Sequence, residues 1–436
     1  MTRTWECATP AVAGPAAREV HYFDTRSGAL SSFGASEHRT KPVRVYVCGI
    51  TPYDSSHVGH ALVAVIFDTL RRVLTYAGYS TQYATNITDV DDPLFEKARL
   101  NNEDWKALGA AQVDEYRRSM IALNVIPPDH FVSVSEMVTK IGDDAVQLVA
   151  DGAGYVLGDT TYFTVSAAEA LTAYPDATQD MLVALAGERG GDPERPGKKD
   201  PLDAPLWVRS APDEPEWDVP GLGAGRPGWH LECVTIAGTA LGGLPVDIQG
   251  GGTDLIFPHH EISRQEAIAL SGHPLAEGYM HVGMLRFAGE KMSKSLGNLV
   301  LVQNLLDEGW AAAAVRLALM SSHYRRELDW VPSLLDGATA RLSRWQQAAS
   351  LPAAPQFAAA AAQATGHLVN DLDFSGCFSV LDEWCQRAIE AAGAGAGSTD
   401  GTGGEAGPAG TTSAGTTSAG PAEFRAYTGA VLGVVL

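Results

Sequence analysis

The sequence predicts an α/β protein built on a parallel, nucleotide-binding sheet, and three stretches carry that prediction. A β-like run from Val43 to Gly49 leads into His57-Val58-Gly59-His60, which opens an apolar helix-like run from Ala61 to Leu74. A second strand-like run follows from Tyr79 to Ile87. Far downstream, the buried-strand phrase Val246-Asp247-Ile248-Gln249 runs into Gly250-Gly251-Gly252. Strand, loop, helix, strand at the start and strand into glycine turn later on are the two halves of one such fold.

The remaining elements follow in chain order. Residues 1–40 are an Ala-, Pro- and Gly-rich lead-in with one β-like phrase near Val20 to Phe23, and 41–100 hold the first half of the sheet. Residues 101–200 are helical in pattern apart from the β-like Thr160 to Thr164, and are expected to be an insertion. A polar linker, Gly187 to Asp200, returns the chain to the second half at 201–300. Residues 301–436 are expected to form a helical C-terminal domain. It is interrupted near 391–422 by a Gly, Ala, Ser and Thr tract in which Thr-Thr-Ser-Ala-Gly occurs twice, too poor in apolar surface to order itself.

Composition bounds the function. No apolar run reaches bilayer length and no secretory signal is visible at Met1 to Ala17, so a soluble cytoplasmic protein without membrane partners is expected. The five scattered cysteines, Cys7, Cys48, Cys233, Cys377 and Cys385, lack the dense spacing of a secreted scaffold. The net charge is −21. From Ala340 to Leu436 the basic residues are Arg341, Arg344, Arg387 and Arg425 against eight acidic ones, which offers no grip for the phosphates of RNA.

Two motifs carry chemistry. His57 and His60 fall at a helix N-terminus, where unpaired N–H groups and the helix dipole favour a triphosphate. Lys291-Met292-Ser293-Lys294-Ser295, between Gly289 and Gly297, is a mobile cationic loop suited to a displacement that expels pyrophosphate. Together, in this order, they resemble the signature pair of class I aminoacyl-tRNA synthetases, which implies a class I synthetase-type Rossmann catalytic domain with a mostly helical insertion and a C-terminal helical domain. Tyr46 to Asp54 with His57 to His60, Arg226-Pro227-Gly228-Trp229-His230 leading to Cys233, Gly250 through His260, and Glu290 to Asn298 resemble cysteinyl-tRNA synthetases from about Arg44 to Trp330.

Spacing alone leaves Cys48, Cys233 and His259 open between core residues and metal ligands. The resemblance implies that they hold one Zn2+ per chain, which binds the substrate cysteine through its thiolate. Three departures from that family stand out. The position four residues after the histidine, where the family has a glutamate ligand, is Ser263; Ala61-Leu62-Val63 lacks the usual Asn-Ala-Arg; and no basic anticodon-reading domain follows. These departures, with Asp91 to Glu96 and the terminal Leu432 to Leu436, are similar to the cysteine-ligase branch of mycothiol biosynthesis. That branch activates L-cysteine as cysteinyl-adenylate and transfers it to the amine of glucosaminyl-inositol in place of tRNA.

The resemblance implies the following roles. His57, His60, Lys291 and Lys294 act on the phosphates of ATP and its Mg2+, with Lys294 the principal transition-state cation. Asp254 accepts from the ribose hydroxyls, or else caps a turn, and Gly251 and Gly252 let the backbone approach the nucleotide. Thr51, Thr88 and Trp229 bound the cysteine. The base for the second step stays open among His57, Asp54 and the substrate's own amine. A monomer is expected. The alternatives are a cysteinyl-tRNA synthetase and a non-catalytic synthetase-like binding paralogue.

Overall fold

The computed structural model describes residues 5–33, 40–53, 57–174, 176–212, 214–287, 289–292, 297–352, 354–396 and 420–436. Its centre is a five-stranded parallel sheet. Strands β1 (Val43–Ile50), β2 (Thr81–Ile87), β3 (His130–Ser133), β4 (Val246–Gly252) and β5 (Ala276–Val282) lie in the order β5-β4-β1-β2-β3. The chain steps outward from β1 through β2 to β3, then returns to β4 on the other side of β1. The crevice beyond the carboxyl ends of β1 and β4 is therefore the topological switch point, where such sheets bind ligands.

Alternation along β1 sorts its side chains between two cores. Val43, Val45 and Val47 join the core that includes helix α1 (Val58–Tyr76), whereas Tyr46 and Cys48 face the core that includes helix α2 (Trp229–Ala240). Gly250 lets α1 come close: a Cβ there would lie 2.2 Å from the Phe67 ring. Helix α3 (Glu261–Ser271) packs beside α2 and leads into β5.

Two features depart from the expected boundaries. The stretch read as the insertion contributes β3 to the parallel sheet, because Phe131 buries in the same core as α1. The insertion proper is an antiparallel sheet, Gly154–Leu157, Thr160–Phe163, Ala204–Val208, Gly223–Pro227 and Trp217–Val219 in spatial order, so it runs past 200 to Pro227. Its last strands are short, Trp-Asp-Val and Gly-Ala-Gly-Arg-Pro, and they announce nothing by alternation.

Beyond β5, Leu285–Phe287, Glu290–Lys291 and Leu328–Trp330 form a three-stranded sheet that includes Lys291, with Gly289 N–H donating to Asp329 at 2.9 Å. Residues 293–296, Lys294 among them, lie outside the described residues, as does 397–419 of the low-complexity tract. The C-terminal region is helical: Val302–Asp307, Ala312–Leu319, Pro332–Ser350, Ala358–Leu368, Phe374–Ala396 and finally α4 (Gly420–Leu432), which packs on α1.

Candidate active site

His57 is the N-cap of α1. Its Nδ1 accepts from the Gly59 N–H at 3.1 Å, and its ring stacks on His60 with centroids 4.0 Å apart. Gly59 is needed for that arrangement, since a Cβ there would come within 2.9 Å of the His57 ring. Both imidazoles thus sit at the positive end of a 19-residue helix and face the crevice beyond β1.

That crevice is a cavity of about 550 Å3, and most of the expected residues line it. Cys48 and Thr51 come from the end of β1, Thr88 from the end of β2, Trp229 and Cys233 from α2, Gly252 and Asp254 from the turn after β4, and His57, His60 and His259 complete it. Gly251, one residue earlier on β4, packs against His260 instead. A Cβ on Gly252 would sit 2.4 Å from an Asp254 carboxyl oxygen, so this glycine leaves the carboxyl its place. Lys291 lies on the strand beside this cavity, and Met292 reaches its wall.

The sulfur and imidazole groups gather at one end. Cys48 Sγ is 3.8 Å from Cys233 Sγ, and His259 Nε2 is 3.2 Å from Cys233 Sγ. His260 was not among the expected ligands, yet its Nε2 lies 3.2 Å from Cys48 Sγ. One ligand atom each from Cys48, His259 and His260 lies within 4.8 Å of the others. Adjacent histidines on a regular helix would point in different directions. Here Ile256–His260 forms a π turn whose Phe257 is extended, and both rings turn inward.

Outer partners orient the rings. His259 Nδ1 meets His230 Nδ1 at 2.9 Å while Trp229 stacks on the His259 ring at 4.2 Å. His260 Nδ1 meets His281 Nε2 at 2.7 Å, and His281 Nδ1 meets Thr25 Oγ1 at 2.9 Å. Burial pushes His259 and His260 well below the ordinary imidazole value and takes His230 and His281 down to about 3. Neutral imidazoles with hydrogen-bonded outer nitrogens are the form that ligates a metal. The hydrogen bond with Cys48, together with burial, pushes the Cys233 thiol up, a cost that a bound cation reverses. The donor set, two thiols and neutral imidazoles, fits zinc. Ser263 is turned away, its Oγ donating to the His230 carbonyl at 3.3 Å.

Asn86 pins the two strands that frame the cavity. Its Oδ1 accepts from Gly49 N–H at 2.8 Å and Tyr46 OH at 3.1 Å, and its Nδ2 donates to Thr88 Oγ1 at 2.9 Å. Thr51 Oγ1 donates to Asp91 at 3.4 Å. Desolvation, reinforced by Asp92, pushes the Asp91 carboxyl up to about 6. Glu232, one residue before Cys233, is buried, and burial raises its carboxyl well above the usual range.

Residues 35–340 match the model of the tRNA synthetases class I (C) catalytic domain. A protein of Thermomonospora curvata named L-cysteine:1D-myo-inositol 2-amino-2-deoxy-alpha-D-glucopyranoside ligase is 43% identical over 427 residues, 97% of this chain and 96% of that protein. A protein of the same name from Acidothermus cellulolyticus is 46% identical over 83% of this chain and 88% of its own length. Among solved structures, Mycobacterium tuberculosis methionyl-tRNA synthetase in complex with methionyl-adenylate superposes with a TM-score of 0.59 at 19% identity, covering 80% of this chain and 83% of that one, a likeness of fold.

Proposed function

The chain belongs to the class I (C) tRNA synthetase family and, within it, to the ligases that join L-cysteine to an inositol-linked amino sugar, and from that membership we infer the reaction and its residues. The protein is an ATP-dependent, amide-forming ligase. It activates L-cysteine as cysteinyl-adenylate and transfers it to the amine of glucosaminyl-inositol, the cysteine-joining step of mycothiol biosynthesis. The observation that carries this reading is one cavity with a thiol–imidazole cluster at one end and the helix N-terminus and glycine turn of a nucleotide site along its side.

In the first step the cysteine carboxylate attacks the α-phosphorus of ATP and pyrophosphate leaves. The α1 N-terminus with His57 and His60, together with Lys291 and Lys294, neutralise the phosphates and their Mg2+, so the protein's work is positioning and charge stabilisation. Asp254 takes the ribose hydroxyls, and Thr51, Thr88 and Trp229 bound the cysteine. Cys48, Cys233 and His259 would hold zinc, whose contribution when bound is to capture the substrate sulfur as thiolate and so reject serine, whose alcohol is a far weaker acid. In the second step the neutral amine forms a C–N bond to the acyl carbon, the C–O bond to phosphate breaks with its electron pair leaving on AMP, and the nitrogen sheds one proton.

The protein acts as a cytoplasmic monomer on small molecules and does not charge tRNA. Its C-terminal region is poor in basic residues, its cysteines are unpaired, and none of its helices among the described residues is long and apolar enough to cross a membrane. Incubating the protein with ATP, cysteine and either glucosaminyl-inositol or tRNA, and following AMP, tests the reading. AMP release with the amino sugar and uncharged tRNA are the expected results. Efficient cysteinylation of tRNA with no turnover on the amino sugar would establish a cysteinyl-tRNA synthetase instead.

A further inference from the structure

A second cavity of about 570 Å3 adjoins the first across Thr51, Tyr53 and Trp229, which line both. It lies between the insertion's antiparallel sheet, the segments that follow β1 and β2, and helix α2, and its volume falls in the range of about 300–1,000 Å3 usual for small-molecule sites. Apart from the shared Thr51 and Trp229, none of the residues assigned to adenylation lines it.

Its charges are unevenly matched. Of the four arginine and lysine side chains on its wall, three are paired with acids, Arg226 with Asp92 and, at 3.3 Å, Glu214, Lys198 with Asp192 at 2.9 Å and Arg195 with Asp159 at 2.6 Å, and Arg189 donates to the carbonyls of Asp254 and Phe257. Two carboxyls near the shared doorway are not so provided. Glu232 is 1% exposed, lines this cavity, and its Oε2 has no hydrogen-bond partner among the described residues. Asp91 lines the same cavity. The hydrogen bonds Asp91 accepts are from Asp92 N–H at 2.9 Å and from Thr51 at 3.4 Å. Arg226 is a cation whose charge reaches both acids, but its hydrogen bonds go to Asp92 and Glu214. A buried carboxyl oxygen left without a hydrogen-bond partner costs stability, and a ligand that donates to it relieves that cost. A phosphate-bearing ligand would make it worse.

We propose that this second cavity seats the polyhydroxylated amine acceptor, with Asp91 and Glu232 accepting hydrogen bonds from its amine end at the Thr51–Trp229 doorway while Tyr162, Asp192 and Arg195 meet its hydroxyls. The doorway opens on the cavity that contains the Cys48–Cys233 cluster, so an amine held there faces the activated carboxyl. Tyr162 OH donates to Asp192, and Arg195 donates to Thr160 at 2.9 Å, a fixed row of polar groups that suits a polyol. The assignment rests on the ligase reading above and locates its acceptor.

The test uses the full chain loaded with zinc, synthetic glucosaminyl-inositol, and two variants, Asp91→Asn, which keeps the side chain's shape, and Arg195→Ala, which removes a partly exposed side chain. Cysteine-dependent ATP–pyrophosphate exchange reads the first step without the acceptor, and AMP release reads the second. In each variant the acceptor KM should rise about tenfold or more, the loss expected for one charged hydrogen bond, and the ratio of acceptor KM to cysteine KM should rise with it. An unchanged acceptor KM, or acceptor and cysteine KM rising together, would overturn the assignment while leaving the ligase reading intact. Wild-type enzyme that exchanges pyrophosphate but releases no AMP with the amino sugar would overturn the ligase reading, and the acceptor site with it.

Discussion

Asp68→Asn should cost the protein a large part of its stability, because one buried carboxylate balances two buried guanidinium groups. Asp68 lies on α1, and its Oδ2 accepts from Arg72 Nε at 2.8 Å and from Arg316, with all three side chains almost wholly buried. Its Oδ1 accepts from Ile126 N–H at 2.8 Å. The two arginines then reach the chain ends: Arg72 donates to the carbonyls of Thr9 at 2.6 Å and Gly429 at 3.0 Å, and Arg316 to those of Leu432 at 2.6 Å and Leu123 at 2.8 Å. Removing the charge leaves two uncompensated cations in the core that joins α1 to α4. Breaking a buried pair in this way costs about 3–5 kcal/mol, set against a typical total of about 5–15. With a urea slope near 3 kcal/mol per molar, the midpoint should fall by about 1 M or more, followed by circular dichroism.

The pH dependence has a defined sign. Burial alone would raise the Asp68 carboxyl, but the Arg72 and Arg316 charges outweigh it and hold it below its ordinary value. A carboxyl lowered on folding stabilises above its unfolded value of about 3.9 and loses that contribution as pH falls toward the folded one. The gap between wild type and variant should therefore be full at neutral pH and narrow below about pH 4. A loss under about 1 kcal/mol at pH 7, or a gap that does not narrow in acid, would refute the argument.

Three further outcomes bear on the site. Cys48→Ala should lower bound metal from about one zinc per chain and abolish cysteine-dependent pyrophosphate exchange together with it; retained zinc by elemental analysis with normal exchange would reject the ligand assignment. Lys294→Ala should cut kcat for exchange about a hundredfold or more with a smaller change in cysteine KM; equal losses in ground-state and transition-state binding would make it an ATP-holding residue instead. Gly252→Ala drives a methyl group into the space of the Asp254 carboxyl, 2.4 Å away, and should raise the ATP KM about tenfold, while an unchanged KM would remove Asp254 from the nucleotide site.

The sequence by itself determined the elements whose signals are local. The strand Val43 to Gly49, the helix opened by His57 to His60, and the strand that runs into Gly250 announce themselves by apolar runs, a helix start and a glycine turn, and the structure carries them as β1, α1 and β4. Local patterns fail where an element is short or its partner is distant. The β-like run at Thr160 to Thr164 marks the strand Thr160–Phe163, but β3 has four residues and the other strands of the insertion have three to five, too few for a period to register. The thiol–imidazole cluster is legible only through resemblance, since Cys48 and Cys233 stand 185 positions apart and meet because the sheet's switch point brings β1 and α2 together. His260 enters that cluster through a backbone turn that sequence periodicity does not encode. The second cavity belongs to the tertiary structure alone: its walls come from the insertion, the segments after β1 and β2, and α2, and Arg226 meets Asp92 and Glu214 only once packing has brought them together. Charge balance in a buried site is a property of distances, and the order of residues along a chain does not specify them.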